Sequence, residues 1–248
     1  MITEETIHKL MAMKLHTMAK GFRELLEAPP SHDLSFEEKM GMLVDREWTD
    51  RDNRRLSRRI KDARLPVDAS LEDAHCDPTR GLDKATTRQL ATCGWVRAKQ
   101  NVIVVGATGV GKTFVGAALA QAACRQGFRA LCVRTPRLLH DLTLARADGT
   151  YRSELQRYAR LDVLVLDDFL IGPMKDGERR DLLEILEDRY GQSSTVVTSQ
   201  VPTKSWHETL ADPTIADAIC DRLVHNAHLV ALRGASMRKK KGIGSEST

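Results

Sequence analysis

The segment from Gly106 to Thr113, with the sequence GATGVGKT, has the residue types and spacing of a phosphate-binding loop. Its glycines let backbone N–H groups turn inward around phosphate oxygens. The lysine after the last glycine is placed to reach the β- and γ-phosphates of a nucleotide, and the following threonine hydroxyl is placed to ligate Mg²⁺. We therefore predict that ATP and Mg²⁺ are bound by Gly106, Ala107, Thr108, Gly109, Val110, Gly111, Lys112 and Thr113, and that Lys112 also acts in catalysis.

Two adjacent carboxylates supply the second part of the predicted site. Asp167 and Asp168 follow the apolar run VLVL, which predicts a buried strand whose end lies beside the phosphates. We predict that Asp167 binds Mg²⁺ and that Asp168 positions or deprotonates the attacking water. An ordinary strand end would explain VLVLDD by itself, but the upstream loop favours the catalytic interpretation.

Hydrolysis also requires a polar group near the γ-phosphate and a cation for the charge that develops there. A later strand ends in Thr198-Ser199-Gln200, which makes Gln200 the candidate polar sensor. The candidate cations are Arg222 and Arg238. A strand-end turn and ordinary surface arginines would explain these residues as well, so the pattern alone leaves their roles open.

From residue 101 onward, short apolar strands alternate with helical segments, as in an α/β protein with a parallel sheet covered on both faces. The predicted strands are 101–106, 130–134, 163–167, 195–199 and 228–232. The predicted helices are 112–125, 136–146, 151–159, 177–190 and several between 203 and 226.

The N-terminal part of the chain predicts helices only. Apolar residues recur at helical spacing from Ile7 to Leu26, which predicts one helix ended by Pro29-Pro30. A second helix begins at Ser35, where Glu38 completes a capping box, and it continues to Arg64. A linker over 66–81 and a helix over 83–98 follow. The predicted domains are a helical DNA- or partner-binding region (1–65), a linker with a helix (66–99), an ATP-binding domain (100–241) and a disordered tail (242–248).

A row of arginines in the second helix predicts contact with nucleic acid. They lie on one helical face and suit successive phosphates, although a solvated charged face would look similar. No aromatic residue interrupts the row, which favours sequence-nonspecific duplex DNA over stacked single strands. The predicted DNA-binding residues are Arg51, Arg54, Arg55, Arg58 and Arg59.

The bulk properties limit the remaining possibilities. The 248 residues carry a net charge of +4 and contain five cysteines without a CxxC pair, which favours idle thiols. No apolar run is long enough to cross a membrane, and the N-terminus lacks a signal-peptide pattern. We expect a cytoplasmic protein.

The order of motifs GATGVGKT, VLVLDD, VTSQVP, ADAICDRLVHNAH and GASMRKK resembles the IstB-type transposition helper ATPases. These belong to the AAA+ class and are related to DnaC-type helicase loaders. The upstream stretch SFEEKMGMLVDREWTDRDNRRLSRRIKDARL resembles the N-terminal region of that family. The resemblance covers roughly residues 5–241, and it implies an AAA+ P-loop core with a five-stranded parallel sheet between helices, preceded by a small all-helical region. The chain ends too soon after the fifth strand for a full C-terminal lid domain.

The resemblance implies an ATP-dependent homo-oligomer on duplex DNA that targets or stimulates a partner transposase. By motif position, Arg222 resembles an arginine finger that completes the site of a neighbouring subunit, and Arg238 resembles a sensor-2 arginine. Gln200 stands where many AAA+ proteins have Asn, and Asp168 where many have Glu, which implies hydrolysis that is slow or dependent on partners. A finger supplied in trans implies a weak ATPase as a monomer and a faster one after assembly on DNA.

Three alternatives remain open from the sequence. A replicative helicase loader of the DnaC type would favour single-stranded DNA and bind a helicase. A P-loop kinase for a small metabolite would need an acceptor pocket and a closing lid of its own. A nucleotide-gated scaffold would bind ATP but hardly hydrolyse it.

Overall fold

The computed structural model describes residues 2–27, 34–74 and 76–237. The chain divides into two compact units, one up to Arg58 and the other from Arg59 onward. The linker and helix predicted for 66–99 therefore lie within the second unit. In the described part of the chain, no helix is both long and apolar enough to span a membrane.

The first unit contains two short helices where the sequence predicted one. Helix α1 spans Ile2–Ala12 and α2 spans His16–Glu27. The prediction of a single helix is wrong because the chain turns at Lys14, which adopts the left-handed backbone conformation with φ 60°. No glycine or proline marks this turn, and the apolar spacing continues across it. The predicted stop at Pro29-Pro30 lies outside the described residues.

Helix α3 spans Phe36–Asp62 and begins as predicted. The backbone N–H of Ser35 donates to the Glu38 carboxylate at 2.7 Å, and the Glu38 N–H donates to the Ser35 hydroxyl at 3.2 Å, so the predicted capping box is confirmed. Further along, the buried Glu47 carboxylate accepts hydrogen bonds from the N–H groups of Thr17 and Met18. It therefore satisfies free donors in the first turn of α2. Helix α3 ends two residues before Arg64, which has φ 49°.

The second unit is built on a five-stranded parallel sheet, as predicted. The strands are β1 (Asn101–Gly106), β2 (Ala130–Arg134), β3 (Val163–Phe169), β4 (Ser194–Ser199) and β5 (Ala227–Leu232). Their order in the sheet is β2-β3-β4-β1-β5. The chain leaves β1 toward one edge of the sheet and leaves β4 toward the other. Open α/β sheets bind ligands at the carboxyl ends of such parallel strands.

Helices pack around this sheet in the second unit. They are α4 (Lys84–Ala91), α5 (Gly94–Arg97), α6 (Lys112–Arg125), α7 (Thr135–Ala147), α8 (Tyr151–Ala159), α9 (Asp176–Arg189), α10 (Trp206–Leu210) and α11 (Pro213–Val224). Short 3-10 turns occupy Pro78–Arg80 and Thr203–Ser205. The helix predicted over 83–98 is interrupted between α4 and α5, because Cys93 takes a left-handed conformation with φ 53°.

Strands β1, β3 and β4 are buried on both faces, as their continuous apolar sequences require, whereas the edge strand β5 exposes Leu229. On one face, the small residues of α6 allow it to pack closely over β3 and β4. On the other, the rings of Phe169 and Trp206 meet with centroids 4.8 Å apart, inside the cluster that joins the sheet to α7, α9 and α11. All five cysteines are free thiols, and burial raises the pKa of Cys93 to about 11.

Candidate nucleotide site

The predicted phosphate-binding loop connects β1 to α6 and has the glycine geometry that such a loop needs. Gly109 and Gly111 have φ of 83° and 102°, and Gly111 immediately precedes the first turn of α6. A Cβ atom on Gly109 would lie 2.2 Å from the Ser236 hydroxyl oxygen, so only glycine fits there. The N–H of Met237 donates to the Gly109 carbonyl at 2.8 Å. The segment after β5 therefore packs directly against the loop.

Lys112 is buried, with 7% of its surface exposed. Its ammonium donates to the carbonyl of Ala107, on the opposite side of the loop, at 2.9 Å. The charged group thus lies across the space that the loop N–H groups surround. The first turn of α6 adds the positive end of the helix dipole at the same place.

Thr113 and Asp167, which the sequence predicts as the Mg²⁺ residues, are in contact. The Thr113 hydroxyl lies 3.1 Å from both carboxylate oxygens of Asp167. The carboxylate also accepts a hydrogen bond from the Thr198 hydroxyl of β4. Asp167 is only 6% exposed, so these two hydroxyls offset the cost of burying its charge. Hydroxyl and carboxylate oxygens are the ligands that Mg²⁺ prefers, so this pair fits such an ion.

Asp168 is turned away from Asp167 by an irregularity in the sheet. The pairing of β3 with β4 shifts register between Leu166 and Phe169, and Asp168 has φ 55°. Its carboxylate accepts a hydrogen bond from Arg134 Nε at 2.9 Å, and Arg134 Nη2 lies 2.8 Å from the same oxygen in an ion pair. The predicted catalytic carboxylate is therefore held by an arginine at the end of β2.

Gln200 lies against the phosphate-binding loop. Its side-chain oxygen accepts a hydrogen bond from the Thr108 hydroxyl at 2.7 Å. The structure therefore brings the predicted polar sensor to the loop, where its hydrogen-bond partner is Thr108 and not Asp167. The neighbouring Thr198, to which the sequence assigned no separate role, is the residue that reaches the carboxylate.

Arg222 lies at the other end of β1 from the loop. The side-chain amide of Asn101, the first residue of β1, donates to the Arg222 carbonyl at 2.9 Å. The Arg222 guanidinium pairs with Glu187 at 2.8 Å and donates to the Ala218 carbonyl at 2.9 Å. A strand of this length spans about 20 Å. Arg222 is therefore not brought to the loop of its own chain. Arg238 lies outside the described residues.

The predicted DNA-binding arginines differ in their surroundings. Within the first unit, Arg51 donates to the Glu47 carboxylate and to the Lys14 carbonyl, and Arg54 pairs with Asp50 at 2.6 Å. Part of the positive charge of the row is thus compensated locally. The other members are the exposed Arg55 and Arg58 and, in the second unit, the half-buried Arg59.

Two arginines at the site were not identified from the sequence. Arg134 contacts Asp168, as described above, and Arg80 donates to the Val110 carbonyl of the loop at 2.9 Å. The carbonyl of Arg80 accepts from the N–H of Arg233, which fixes the segment before α4 beside β5. Neither residue belongs to a recognisable motif. Only the position of Arg134 at the end of β2, which pairs with β3, could have indicated that it lies near the site.

Comparison with known proteins agrees with this geometry. The profile of the family described as IstB-like ATP binding protein matches residues 8–245. The chain belongs to this family. The resemblance noted in the sequence is confirmed, and so is the AAA+ P-loop core.

The IstB-like relatives match along nearly their full length. An insertion sequence ATP-binding protein of Sinorhizobium fredii (strain NBRC 101917 / NGR234), y4pL, is 44% identical over 241 residues, which are 97% of this chain and 98% of the relative. The ATP-binding protein named for insertion sequence IS1162 of Pseudomonas fluorescens is 43% identical over 206 residues, with 83% of this chain and 89% of the relative covered.

Solved structures share the fold of this IstB-like chain. The DnaI structure is 22% identical with a TM-score of 0.58, and 67% of this chain and 92% of that one are covered. The DnaC helicase loader is 22% identical with a TM-score of 0.53, with 66% of this chain and 97% of that one covered. At these identities the likeness concerns the architecture.

Proposed function

We propose that this IstB-like protein is an ATPase that assembles on duplex DNA and assists a partner transposase. The observation that carries the proposal is the convergence of the phosphate-binding loop, the Thr113–Asp167 pair and Asp168 at the carboxyl end of the parallel sheet. This is the set of groups that hydrolysis of a nucleotide requires. A small-metabolite kinase would share them, but the insertion-sequence relatives favour the transposition helper.

In the proposed site, the loop N–H groups and Lys112 hold the phosphates of ATP. Thr113 and Asp167 hold Mg²⁺, which when bound neutralises charge on the phosphate oxygens. Thr198 fixes the Asp167 carboxylate by hydrogen bonding. In the reaction, the oxygen of water forms a bond to the γ-phosphorus while the bond from that phosphorus to the bridging oxygen breaks. The products are ADP and phosphate, and Asp168 orients the water and accepts its proton.

The proposed assembly explains why Arg222 lies far from the loop of its own chain. In the proposed assembly, Arg222 acts from the opposite end of β1 on a nucleotide bound by a neighbouring copy. A trans arginine raises the rate by about 10³–10⁵ in P-loop enzymes where it has been measured. We therefore expect isolated chains to hydrolyse ATP slowly. Phosphate release measured over a range of protein concentrations tests this, and a specific rate independent of concentration would contradict it.

Binding to DNA is proposed from the arginines of α3 and from the insertion-sequence relatives. Because Arg51 and Arg54 already pair with acidic residues, Arg55 and Arg58 are expected to make the strongest phosphate contacts. Each phosphate contact on duplex DNA adds about 0.9 to the negative slope of log affinity against log salt concentration. Replacing Arg55 and Arg58 together by Gln is therefore expected to lower this slope by about 2.

The decisive experiment measures binding to labelled duplex and single-stranded DNA of equal length, with ADP or a non-hydrolysable ATP analogue, over a salt series. Cooperative binding to duplex with the ATP analogue alone supports the proposal. A preference for single strands would favour the helicase-loader alternative. Failure to bind either DNA in both nucleotide states would refute the proposed role of the arginine row.

The catalytic roles are tested separately. Asp168→Asn is expected to keep ATP binding while turnover falls by about 10²-fold or more, because the water loses its proton acceptor. Thr113→Ala is expected to weaken binding of Mg·ATP more than binding of ATP in EDTA. If Asp168→Asn hydrolyses ATP at the wild-type rate, the assignment of Asp168 is wrong.

A further inference from the structure

A second polar cavity lies at the amino-terminal ends of β1 and β4, away from the phosphate-binding loop. It has a volume of about 150 Å³ and lies entirely within the second unit. Three cationic side chains line it, and no carboxylate does. The lining of the cavity includes Lys99, Arg189, Ser193 and Arg222.

Arg189 brings a positive charge to this cavity and forms no ion pair with a carboxylate of the described residues. The side chain is only 1% exposed, and burial lowers its pKa to about 9. Its N–H groups donate to the carbonyls of Tyr158, Leu161 and Ser194 and to the hydroxyl of Thr195. All of these acceptors are neutral, and the nearest opposing charge, that of Asp162, acts only at longer range. A buried cation without a charged partner favours an anion nearby.

Ser193 and Lys99 also line the cavity. The Ser193 hydroxyl is buried, its residue is 7% exposed, and it has no hydrogen-bond partner among the described residues. Buried hydroxyls are rarely left without a partner. Lys99 has the left-handed φ of 56°, and its carbonyl accepts from the Asn226 amide, which fixes the start of its side chain beside the cavity. Among the described residues, no carboxylate lies within ion-pair distance of its ammonium.

Arg222 connects the cavity with the proposed assembly. Its guanidinium is at present paired with Glu187, whose side chain is 51% exposed. Solvent at the Glu187 carboxylate screens this pair, although the Arg222 side chain is only 25% exposed. A phosphate group at the cavity would therefore compete readily with the Glu187 carboxylate for Arg222.

We propose that this cavity receives the terminal phosphate of ATP held by a second copy of the chain, and that Lys99 binds that phosphate together with Arg222. This inference rests on the proposed trans action of Arg222 and adds Lys99 as a second catalytic cation. The chain's own nucleotide cannot occupy the cavity, because its phosphate-binding loop lies at the other end of β1. The buried charge of Arg189 and the Ser193 hydroxyl favour an anion at the same place.

The test uses two variants that are defective for different reasons. Lys99→Gln keeps the phosphate-binding loop, and Lys112→Ala keeps Lys99 and Arg222. We expect the ATPase rate of assembled Lys99→Gln to fall by about 10- to 100-fold, as when a group that stabilises transition-state charge is removed. A 1:1 mixture of the two variants is expected to regain about a quarter of the wild-type rate, because about one interface in four then joins an intact loop to an intact cavity.

Controls separate this effect from loss of structure. Lys99→Arg keeps the charge and should retain most of the rate, whereas Lys84→Gln removes an exposed lysine from the first turn of α4 and should have no effect. The size of the assemblies and the affinity of isolated chains for a fluorescent ATP analogue should be unchanged in Lys99→Gln. A wild-type rate for Lys99→Gln, or a loss that mixing does not restore, would overturn the proposal.

The same mixing experiment with Arg222→Ala distinguishes the proposed trans action of Arg222 from the proposed role of Lys99. Suppose that Arg222→Ala is defective, that mixing it with Lys112→Ala restores the ATPase rate, and that Lys99→Gln is fully active. Trans catalysis by Arg222 then stands, and the role of Lys99 is refuted. If Arg222→Ala itself retains the wild-type rate, the proposed trans action of Arg222 fails and the role of Lys99 fails with it.

Discussion

Helix α6 packs closely against the sheet at Gly116, behind the proposed Mg²⁺ residues, and one added methyl group can perturb this packing. A Cβ atom on Gly116 would lie 2.9 Å from the Thr198 methyl carbon and 3.3 Å from a methyl carbon of Val165. Thr198 is 1% exposed, and its hydroxyl donates to Asp167. Because the methyl and hydroxyl groups of Thr198 are bonded to the same Cβ, a side-chain rotation that moves the methyl group away from Gly116 also moves the hydroxyl away from the Asp167 carboxylate.

The expected cost of Gly116→Ala follows from three contributions. Alanine in place of glycine within a helix gains about 1 kcal/mol. Overpacking a rigid core costs about 1–3 kcal/mol. Loss of a hydrogen bond to a charged group costs about 1.5–3 kcal/mol. We therefore expect the free energy of unfolding to fall by about 1.5–5 kcal/mol, and the affinity for Mg·ATP to fall more than the affinity for ATP without metal.

Denaturant unfolding and nucleotide titrations with and without Mg²⁺ measure both effects. Gly177→Ala is the matched control, because it makes the same change in helix α9, where a Cβ atom meets nothing within 4 Å. The control is expected to be neutral or to stabilise by up to about 1 kcal/mol. If Gly116→Ala is as stable as the control and binds Mg·ATP like the wild type, the coupling through Thr198 is refuted.

Three further predictions concern the groups around the site. Arg134→Gln should raise the basal ATPase rate by at most about fivefold, because the exposed Arg134 side chain limits its ion pair with Asp168 to about 1 kcal/mol. A lower rate would contradict a restraining role. Asp212→Ala removes the N-cap of α11 and should cost about 1 kcal/mol in denaturant unfolding, whereas Asp212→Asn should retain most of the stability. Glu187→Gln should raise the ATPase rate of assemblies but not of isolated chains, because it frees Arg222; equal changes in both would contradict this.

The parts of the site that depend on local sequence were predictable. The loop from Gly106 to Thr113 follows a strand and precedes a helix, so backbone geometry alone determines its shape. The alternation of strands and helices likewise predicted the five parallel strands. Two breaks, at Lys14 and Cys93, were missed because these residues adopt left-handed conformations without glycine.

The contacts between strands could not be predicted in the same way. Thr198 reaches Asp167, and Arg134 reaches Asp168, because β2, β3 and β4 are neighbours in a particular register. The shift in that register beside Asp168 separates two carboxylates that are adjacent in sequence. The cavity beside Arg189 likewise depends on side chains that α9, β4 and α11 bring together. Such groupings follow from tertiary packing and carry no motif.

The two ends of β1 give the molecule a polarity that constrains how copies can combine. With the phosphate-binding loop at one end and Arg222 at the other, a contact between them joins two different surfaces and is heterologous. Repetition of such a contact produces a closed ring or an open helical row. In a ring, every nucleotide site faces an Arg222 of a neighbouring subunit. In an open row, the nucleotide site at one end has no such neighbour. If Arg222 acts in trans as proposed, the rate per subunit in a row rises with the length of the row, and the length of DNA that the row covers would then set the rate of ATP consumption.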